Sequence, residues 1–178
     1  MDAANNAAAI TIRSAEPEDA AAVAALIGLP GVCEGLLQTP YAPNASRVEW
    51  HQKVEPRECR LVATAQGEIV GSAGLHLAGI GLRRSHVRTL GLAVLPEWQG
   101  RGIARKLLAT AIDWADNWAH VLRIELYVHA DNDRARGLYE TMGFVQEGRH
   151  KAFSLKNGRY VDALSMARIH PNPPRVEG

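Results

Sequence analysis

The stretch Leu92-Ala93-Val94-Leu95-Pro96-Glu97-Trp98-Gln99-Gly100-Arg101-Gly102-Ile103-Ala104-Arg105 constrains the chain more than any other. An apolar strand over residues 86–95 stops at Pro96, two glycines one residue apart follow, and a long helix pattern starts on them. That order is a strand–turn–helix unit whose helix start offers unsatisfied N–H groups and the positive end of a dipole, an arrangement suited to an anion such as phosphate. Glycine lets the backbone approach such a ligand without a Cβ in the way. The same residues also fit a plain glycine-punctuated turn. A Walker A string is absent, and a dinucleotide fingerprint would need a third glycine where Arg105 stands.

The helix on that turn is the clearest of the chain. Over residues 102–118 it sets Ile103, Leu107, Ala111, Trp114 and Trp118 on one face, with Leu108, Ile112 and Ala115 alongside. Upstream, residues 10–13 alternate as a first strand, and Pro17 opens a helix with Glu16, Glu18 and Asp19 at its start. Residues 28–46 read as irregular, broken by prolines and glycines, before a second helix over 45–53 with Asn44 as its cap. Strands over 60–65 and 68–77 join at Gln66-Gly67. After the long helix comes a strand around Ile124, Leu126 and Val128, then a helix over 133–142 that Gly143 ends. A hairpin turning at Asn157-Gly158, with arms over 145–155 and 160–169, closes the pattern. The fold class is α/β (α+β): a mixed, mostly antiparallel sheet of about seven strands flanked by about four helices. One domain over 10–170 is expected, with 1–9 and 171–178 as flexible ends.

Composition narrows the partners. Twenty Lys+Arg balance nineteen Asp+Glu for a net charge of +1, which removes the charge argument for nucleic acid or a membrane surface. The longest apolar stretch is half a membrane span, and the N-terminus lacks the pattern of a signal peptide, so a cytoplasmic protein is expected. Cys33 and Cys59 read as two free thiols, and neither they nor the histidines show a metal-ligand spacing, so no metal is expected.

A second segment runs Asn132-Asp133-Arg134-Ala135-Arg136-Gly137-Leu138-Tyr139-Glu140-Thr141-Met142-Gly143-Phe144. Alone, Asn132 reads as a helix cap or turn former and Tyr139 as a core tyrosine. Together with the first segment, the chain resembles the GNAT superfamily of acetyl-CoA-dependent N-acetyltransferases. Gln99-x-x-Gly102-x-Ala104 is similar to that family's pyrophosphate loop, and Asn132-x-x-Ala135-x-x-Leu138-Tyr139-x-x-x-Gly143-Phe144 to its second acyl-CoA motif. The order of elements over 10–169 agrees as well.

The resemblance implies acetyl-CoA as co-substrate and gives roles to residues. Gln99, Gly100, Arg101, Gly102, Ile103, Ala104 and Arg105 would hold the pyrophosphate, largely through backbone amides. Main chain at Leu92 and Val94 would pair with the pantetheine arm, Asn132 and Ala135 would border it, and Tyr139 would protonate the departing thiolate. The chain departs from some members at one point: Thr89 to Val94 holds no acid to serve as general base. Glu125, His129 and Asp162 are candidate relay ends, or structural residues. An α-amine, with a pKa of about 7.7–8.0 against about 10.4 for lysine, needs less help in losing its proton.

Within the superfamily, Arg83-Arg84-Ser85-His86-Val87, Leu37-Gln38-Thr39-Pro40-Tyr41 and Asn157-Gly158-Arg159-Tyr160-Val161-Asp162-Ala163 are similar to a bacterial subgroup that includes L-amino-acid N-acetyltransferases. That likeness implies a small-molecule amine as acceptor, with Gln38, Tyr41, His76 and Tyr160 as candidate contacts, and allows a homodimer. Another amine class (a herbicide-like amino acid, a polyamine or a protein amine) is the second reading. A non-catalytic acyl-CoA sensor is the third, which retention of Tyr139 argues against.

Overall fold

Two tight turns set the hairpins of the sheet. At Gln66-Gly67 (φ 52° and 85°) and Asn157-Gly158 (φ 50° and 75°) both central residues are left-handed, the geometry that matches the right-handed twist of a hairpin. The computed structural model describes residues 9–79 and 81–175. Of the ends expected to be loose, residues 1–8 and 176–178 lie outside the described residues.

The strands are β1 (Thr11–Ser14), β2 (Cys59–Ala65), β3 (Glu68–Leu77), β4 (Val87–Val94), β5 (Arg123–His129), β6 (Val145–Lys156) and β7 (Arg159–Ile169). They form one seven-stranded sheet in the order β1-β2-β3-β4-β5-β7-β6. Every neighbouring pair is antiparallel except β4 and β5. The helices are α1 (Ala20–Gly28), α2 (Pro30–Cys33), α3 (Asn44–Gln52), α4 (Ile103–Asn117) and α5 (Asp133–Thr141).

Several local expectations need correction. Pro17 opens a three-residue 3-10 turn, closed when the Glu16 N–H donates to Asp19 (2.8 Å), and α1 starts only at Ala20. The single turn α2 lies inside the stretch expected to be irregular, with Pro30 at its first position, where the missing N–H costs nothing. Asn44 is the first residue of α3, not its cap; Pro43 takes that position, its carbonyl accepting from the Ser46 hydroxyl (2.9 Å). Trp118 is 80% exposed, because α4 ends at Asn117 and Trp118 leaves helical dihedrals (φ −128°). The buried stripe of α4 is Ile103, Leu107, Leu108, Ala111 and Ala115.

Alternation along the strands divides the molecule into layers. From β3, Gly71 meets Ile103 and Leu107 of α4, and Ala73 and Leu75 join the same core. Ser72, Gly74 and His76 point to the opposite face, which they share with Trp50 of α3. The α4 face holds most of the buried apolar side chains, each worth about 1.5–3 kcal/mol of burial. The other face stays open around β4. Among the described residues, no helix is long and apolar enough to cross a membrane.

Candidate active site

The site exists because β4 and β5 part company. Their parallel ladder ends at Thr89↔Glu125, whereas β4 stays paired with β3 up to Val94↔Gly71. The Leu95 N–H donates to Val70 (3.0 Å), so Ala93 and Gly91 turn their main chain toward β3. By alternation, Leu92 and Val94 turn theirs into the gap. The Val94 carbonyl is taken by Gln99 Nε2 (3.1 Å), so the groups left for a strand-like partner are the Leu92 N–H and carbonyl and the Val94 N–H.

A cavity of about 500 Å³ and another of about 520 Å³ open on either side of this edge, and Leu90, Gly91, Leu92, Ala93 and Tyr127 line both. The larger runs to the start of α4. Gly100 and Gly102 are left-handed there (φ 79° and 78°), and a Cβ built on Gly102 would meet open space. Lys106 N–H makes the first helical bond, to Gly102 (3.1 Å). The N–H groups of Ile103, Ala104 and Arg105 precede it and need partners from outside the helix. Such a cradle suits a phosphate or pyrophosphate.

Of the residues expected around the donor, Leu92, Val94, Gln99, Gly100, Gly102, Ile103, Ala104, Arg105, Asn132, Ala135 and Tyr139 all line this larger cavity. Arg101 does not; its guanidinium lies over the Trp98 ring, 4.6 Å from the centroid. Asn132 caps α5, its Oδ1 accepting from Ala135 N–H (3.1 Å), so the cap reading holds while the residue also borders the cavity. Sequence reasoning missed Arg134. Its Nη1 donates to Gln99 Oε1 (2.8 Å), and it sits beside Gly100, adding positive charge to the cradle. Its position inside the Asn132–Phe144 motif was the available signal.

Tyr139 is 9% exposed and packs near Phe144 (ring centroids 5.7 Å apart). Burial raises its phenol to about 12, so the hydroxyl keeps its proton at neutral pH. The hydroxyl is therefore present as a neutral hydrogen-bond donor on the wall of the larger cavity.

The smaller cavity lies between β4 and α3. Gln38 and His76 line it, as expected for acceptor contacts, but Tyr41 and Tyr160 do not. Tyr41 is fully exposed in a left-handed conformation (φ 62°), and Tyr160 is 74% exposed beside the Asn157-Gly158 turn. Arg47, Trp50 and His51 were missed. Their spacing of three and four residues places them on one face of α3, and that face borders the cavity. No Asp or Glu lines this cavity among the described residues, whereas Arg47 does. Arg47 donates to the Thr39 (2.8 Å) and Ala42 (3.2 Å) carbonyls, and more weakly to Gln38 Oε1 (3.5 Å). Two of its five N–H groups remain over.

The candidate relay residues separate clearly. Glu125 is held by Arg84 (2.5 Å) and Arg123 (3.0 Å), and Asp162 by Arg149 (2.8 Å) and the Ala152 N–H (3.0 Å). Neither lines the smaller cavity. His129 does, with Nε2 against Ser154 Oγ (3.0 Å) and Nδ1 buried without a partner.

Residues 30–144 match the Acetyltransferase (GNAT) family. Over 162 residues the chain is 38% identical to the L-amino acid N-acetyltransferase AaaT of Escherichia coli (strain K12), covering 90% of this chain and 98% of that one. Among solved structures it is similar to spermidine N-acetyltransferase from Vibrio cholerae in complex with CoA and spermine. That likeness has a TM-score of 0.77 and 26% identity, over 90% of this chain and 95% of the other. It also shares its fold with a GNAT superfamily phosphinothricin acetyltransferase from Sinorhizobium meliloti in complex with AcCoA, at TM-score 0.83, 18% identity, and 94% and 92% coverage.

Proposed function

We propose, for a chain that belongs to the acetyltransferase (GNAT) family and is an N-acetyltransferase, that the donor is acetyl-CoA and the acceptor the α-amine of an L-amino acid. The single observation that carries the acceptor is the charge of its cavity, with Arg47 on the wall and no carboxylate among the described lining residues. A polyamine carries only positive charge and would want acidic partners there. An amino acid brings a carboxylate that Arg47 can meet with its remaining N–H groups. The name of the Escherichia coli relative supports the same class.

The donor reading rests on the cradle at Gly100–Arg105, the open main chain at Leu92 with the Val94 N–H, and similar proteins solved with CoA or AcCoA. In this reading the backbone N–H groups of Ile103, Ala104 and Arg105, reinforced by Arg134, bind the pyrophosphate. The Leu92 and Val94 edge lays the pantetheine arm along β4, which brings the thioester to the stretch of β4 common to both cavities. A main-chain N–H at that edge polarises the thioester carbonyl as charge develops on its oxygen. The acceptor nitrogen forms its bond to the carbonyl carbon, the carbon–sulfur bond breaks, and Tyr139 supplies the proton to sulfur. Cys33 and Cys59, both buried and unpaired, suit a reducing cytoplasm as the place of reaction.

The test is free-thiol release from acetyl-CoA by the purified protein, run with the twenty standard L-amino acids one at a time and with spermidine. Release with a subset of the amino acids and none with spermidine is the expected result. Release with spermidine alone would overturn the acceptor assignment.

A further inference from the structure

From the geometry around His76 we infer that this histidine is the general base of the acceptor side, with Glu58 as the residue that positions it. The inference rests on the transferase reading above and assigns the role that the acid-free strand β4 leaves vacant.

His76 lies on the cavity face of β3, its ring over Gly74, where a Cβ would overlap it. Glu58, just before β2, reaches across: its Oε2 is 3.0 Å from His76 Nδ1, and its Oε1 accepts the Leu77 N–H (3.1 Å). Burial alone would raise the Glu58 carboxyl, but bonds from His76, Leu77 and Arg60 outweigh it and hold the group below its ordinary value. An ionised carboxylate only accepts, so Nδ1 carries the hydrogen and Nε2 keeps its lone pair. That Nε2 lies over Gly74 and close to its cross-strand partner Gly91, where a placed Cβ would be 3.9 Å away. Gly91 lines both cavities, so the lone pair stands on the acceptor side of the edge that would carry the thioester.

The rival imidazoles are worse placed. His51 is pushed down to about 4 by burial and the neighbouring Arg60 and His76 charges, and its Nε2 is buried without a partner. His129 has one nitrogen on Ser154 and the other sealed from solvent. The charged and titratable groups around His76 are Glu58 and Arg60 from the β2 side, and Arg47 and His51 from α3. Glu16 and Asp19 border the small cavity behind it. Arg60 is itself bound to Glu58 (2.9 Å) and stacked on Trp50 (4.5 Å). Glu58 is therefore the anion in direct contact with the imidazolium that forms when Nε2 takes a proton.

Protons and bonds balance. His76 Nε2 removes one proton from the acceptor ammonium, freeing the lone pair that forms the carbon–nitrogen bond. The carbon–sulfur bond breaks, Tyr139 gives its hydroxyl proton to sulfur, and the second proton leaving nitrogen restores the phenol. His76 returns its proton to water, so one proton is released per amide formed.

Two measurements on the full chain test this. The first is the long-range proton–nitrogen spectrum of the His76 imidazole at neutral pH, which needs no acceptor. The Nδ1–H tautomer is expected, and an Nε2–H tautomer would overturn the assignment. The second compares wild type with His76→Gln and Glu58→Gln, using whichever amine is turned over best among the L-amino acids, spermidine and an alanyl peptide. For His76→Gln, kcat should fall by about 10²-fold or more and lose its acidic limb, with acetyl-CoA affinity unchanged. Glu58→Gln should shift that limb to lower pH, because the imidazolium loses its anion. A His76→Gln rate and pH profile equal to wild type would sink the proposal. Activity confined to spermidine or the peptide would instead sink the amino-acid reading, and the same His76→Gln comparison would still decide the base.

Discussion

Gly74 of β3 and Gly91 of β4 stand directly opposite one another, a cross-strand pair without side chains in the lining of the cavity between β4 and α3. The two positions should respond differently to one added methyl. Gly74→Ala forces the His76 ring off Glu58, so kcat should fall by about the general-base share, 10²-fold or more, while acetyl-CoA still binds. At Gly91 the same methyl makes only an ordinary contact with His76, so Gly91→Ala should fold normally and raise the acceptor KM instead. Steady-state kinetics of both variants check the contrast; an identical pattern in the two would refute it.

Tyr139→Phe removes the proposed acid and keeps the ring that packs near Phe144. Turnover should drop by about 10²–10⁴-fold with the acetyl-CoA Kd unchanged. The raised phenol also has a signature in stability. Its contribution is fully present below the unfolded value of about 10 and is lost as pH rises through the folded value of about 12. Urea melts across that window should show wild type losing stability that Tyr139→Phe does not lose.

What the sequence revealed and what it hid divide along the range of the interactions. Asn157-Gly158 and the 103–115 stripe of α4 were legible because their causes are local: two left-handed residues in a turn, and apolar spacing on one helix. The parting of β4 and β5 was not, since it depends on where pairing between distant segments stops. Arg134 was overlooked for the same reason; its role comes from Gln99, thirty-five residues away. Tyr41 and Tyr160 lie in segments similar to the bacterial subgroup that includes L-amino-acid N-acetyltransferases. A left-handed backbone at one and the projecting hairpin at the other turned both side chains to solvent. The face of α3 was readable in principle, since Arg47, Trp50 and His51 have helical spacing, but only the fold says what that face looks onto.

Gly102→Val should abolish acetyl-CoA binding. The position has φ +78°, where a β-branched residue is strained, and its open side is the cradle itself. Calorimetric titration with acetyl-CoA reads the loss. Far-UV circular dichroism separates it from unfolding, since α4 has an apolar stripe of its own to hold it. Wild-type affinity in a folded Gly102→Val would show that phosphate lies elsewhere.

His51 gives an acid-side prediction. Its folded value of about 4 lies below the ordinary 6.5, chiefly through burial, so protons bind the unfolded chain first as pH falls. Its contribution is intact above about 6.5 and is lost as pH drops from there through about 4. Thermal melts of wild type and His51→Gln between pH 7 and 4 should therefore converge, wild type losing more Tm over the interval. Parallel curves would show that the imidazole titrates alike in both states.

In the proposed reading Arg47 carries the choice of acceptor, and it allows the sharpest comparison. Its charge faces a cavity without carboxylates among the described residues, and two N–H groups are left after the Gln38, Thr39 and Ala42 bonds. A hydrogen bond to a charged group is worth about 1.5–3 kcal/mol, or roughly 10–100-fold in binding. Arg47→Met should raise the KM of a turned-over L-amino acid by about that factor. The amine left when the same amino acid loses its carboxylate should bind wild type more weakly and show almost no further change on Arg47→Met. Loss of the loop bonds would raise both KM values together, whereas loss of carboxylate recognition raises only one. Equal increases would therefore mean that Arg47 braces residues 38–42 and that acceptor selection comes from another wall of the cavity.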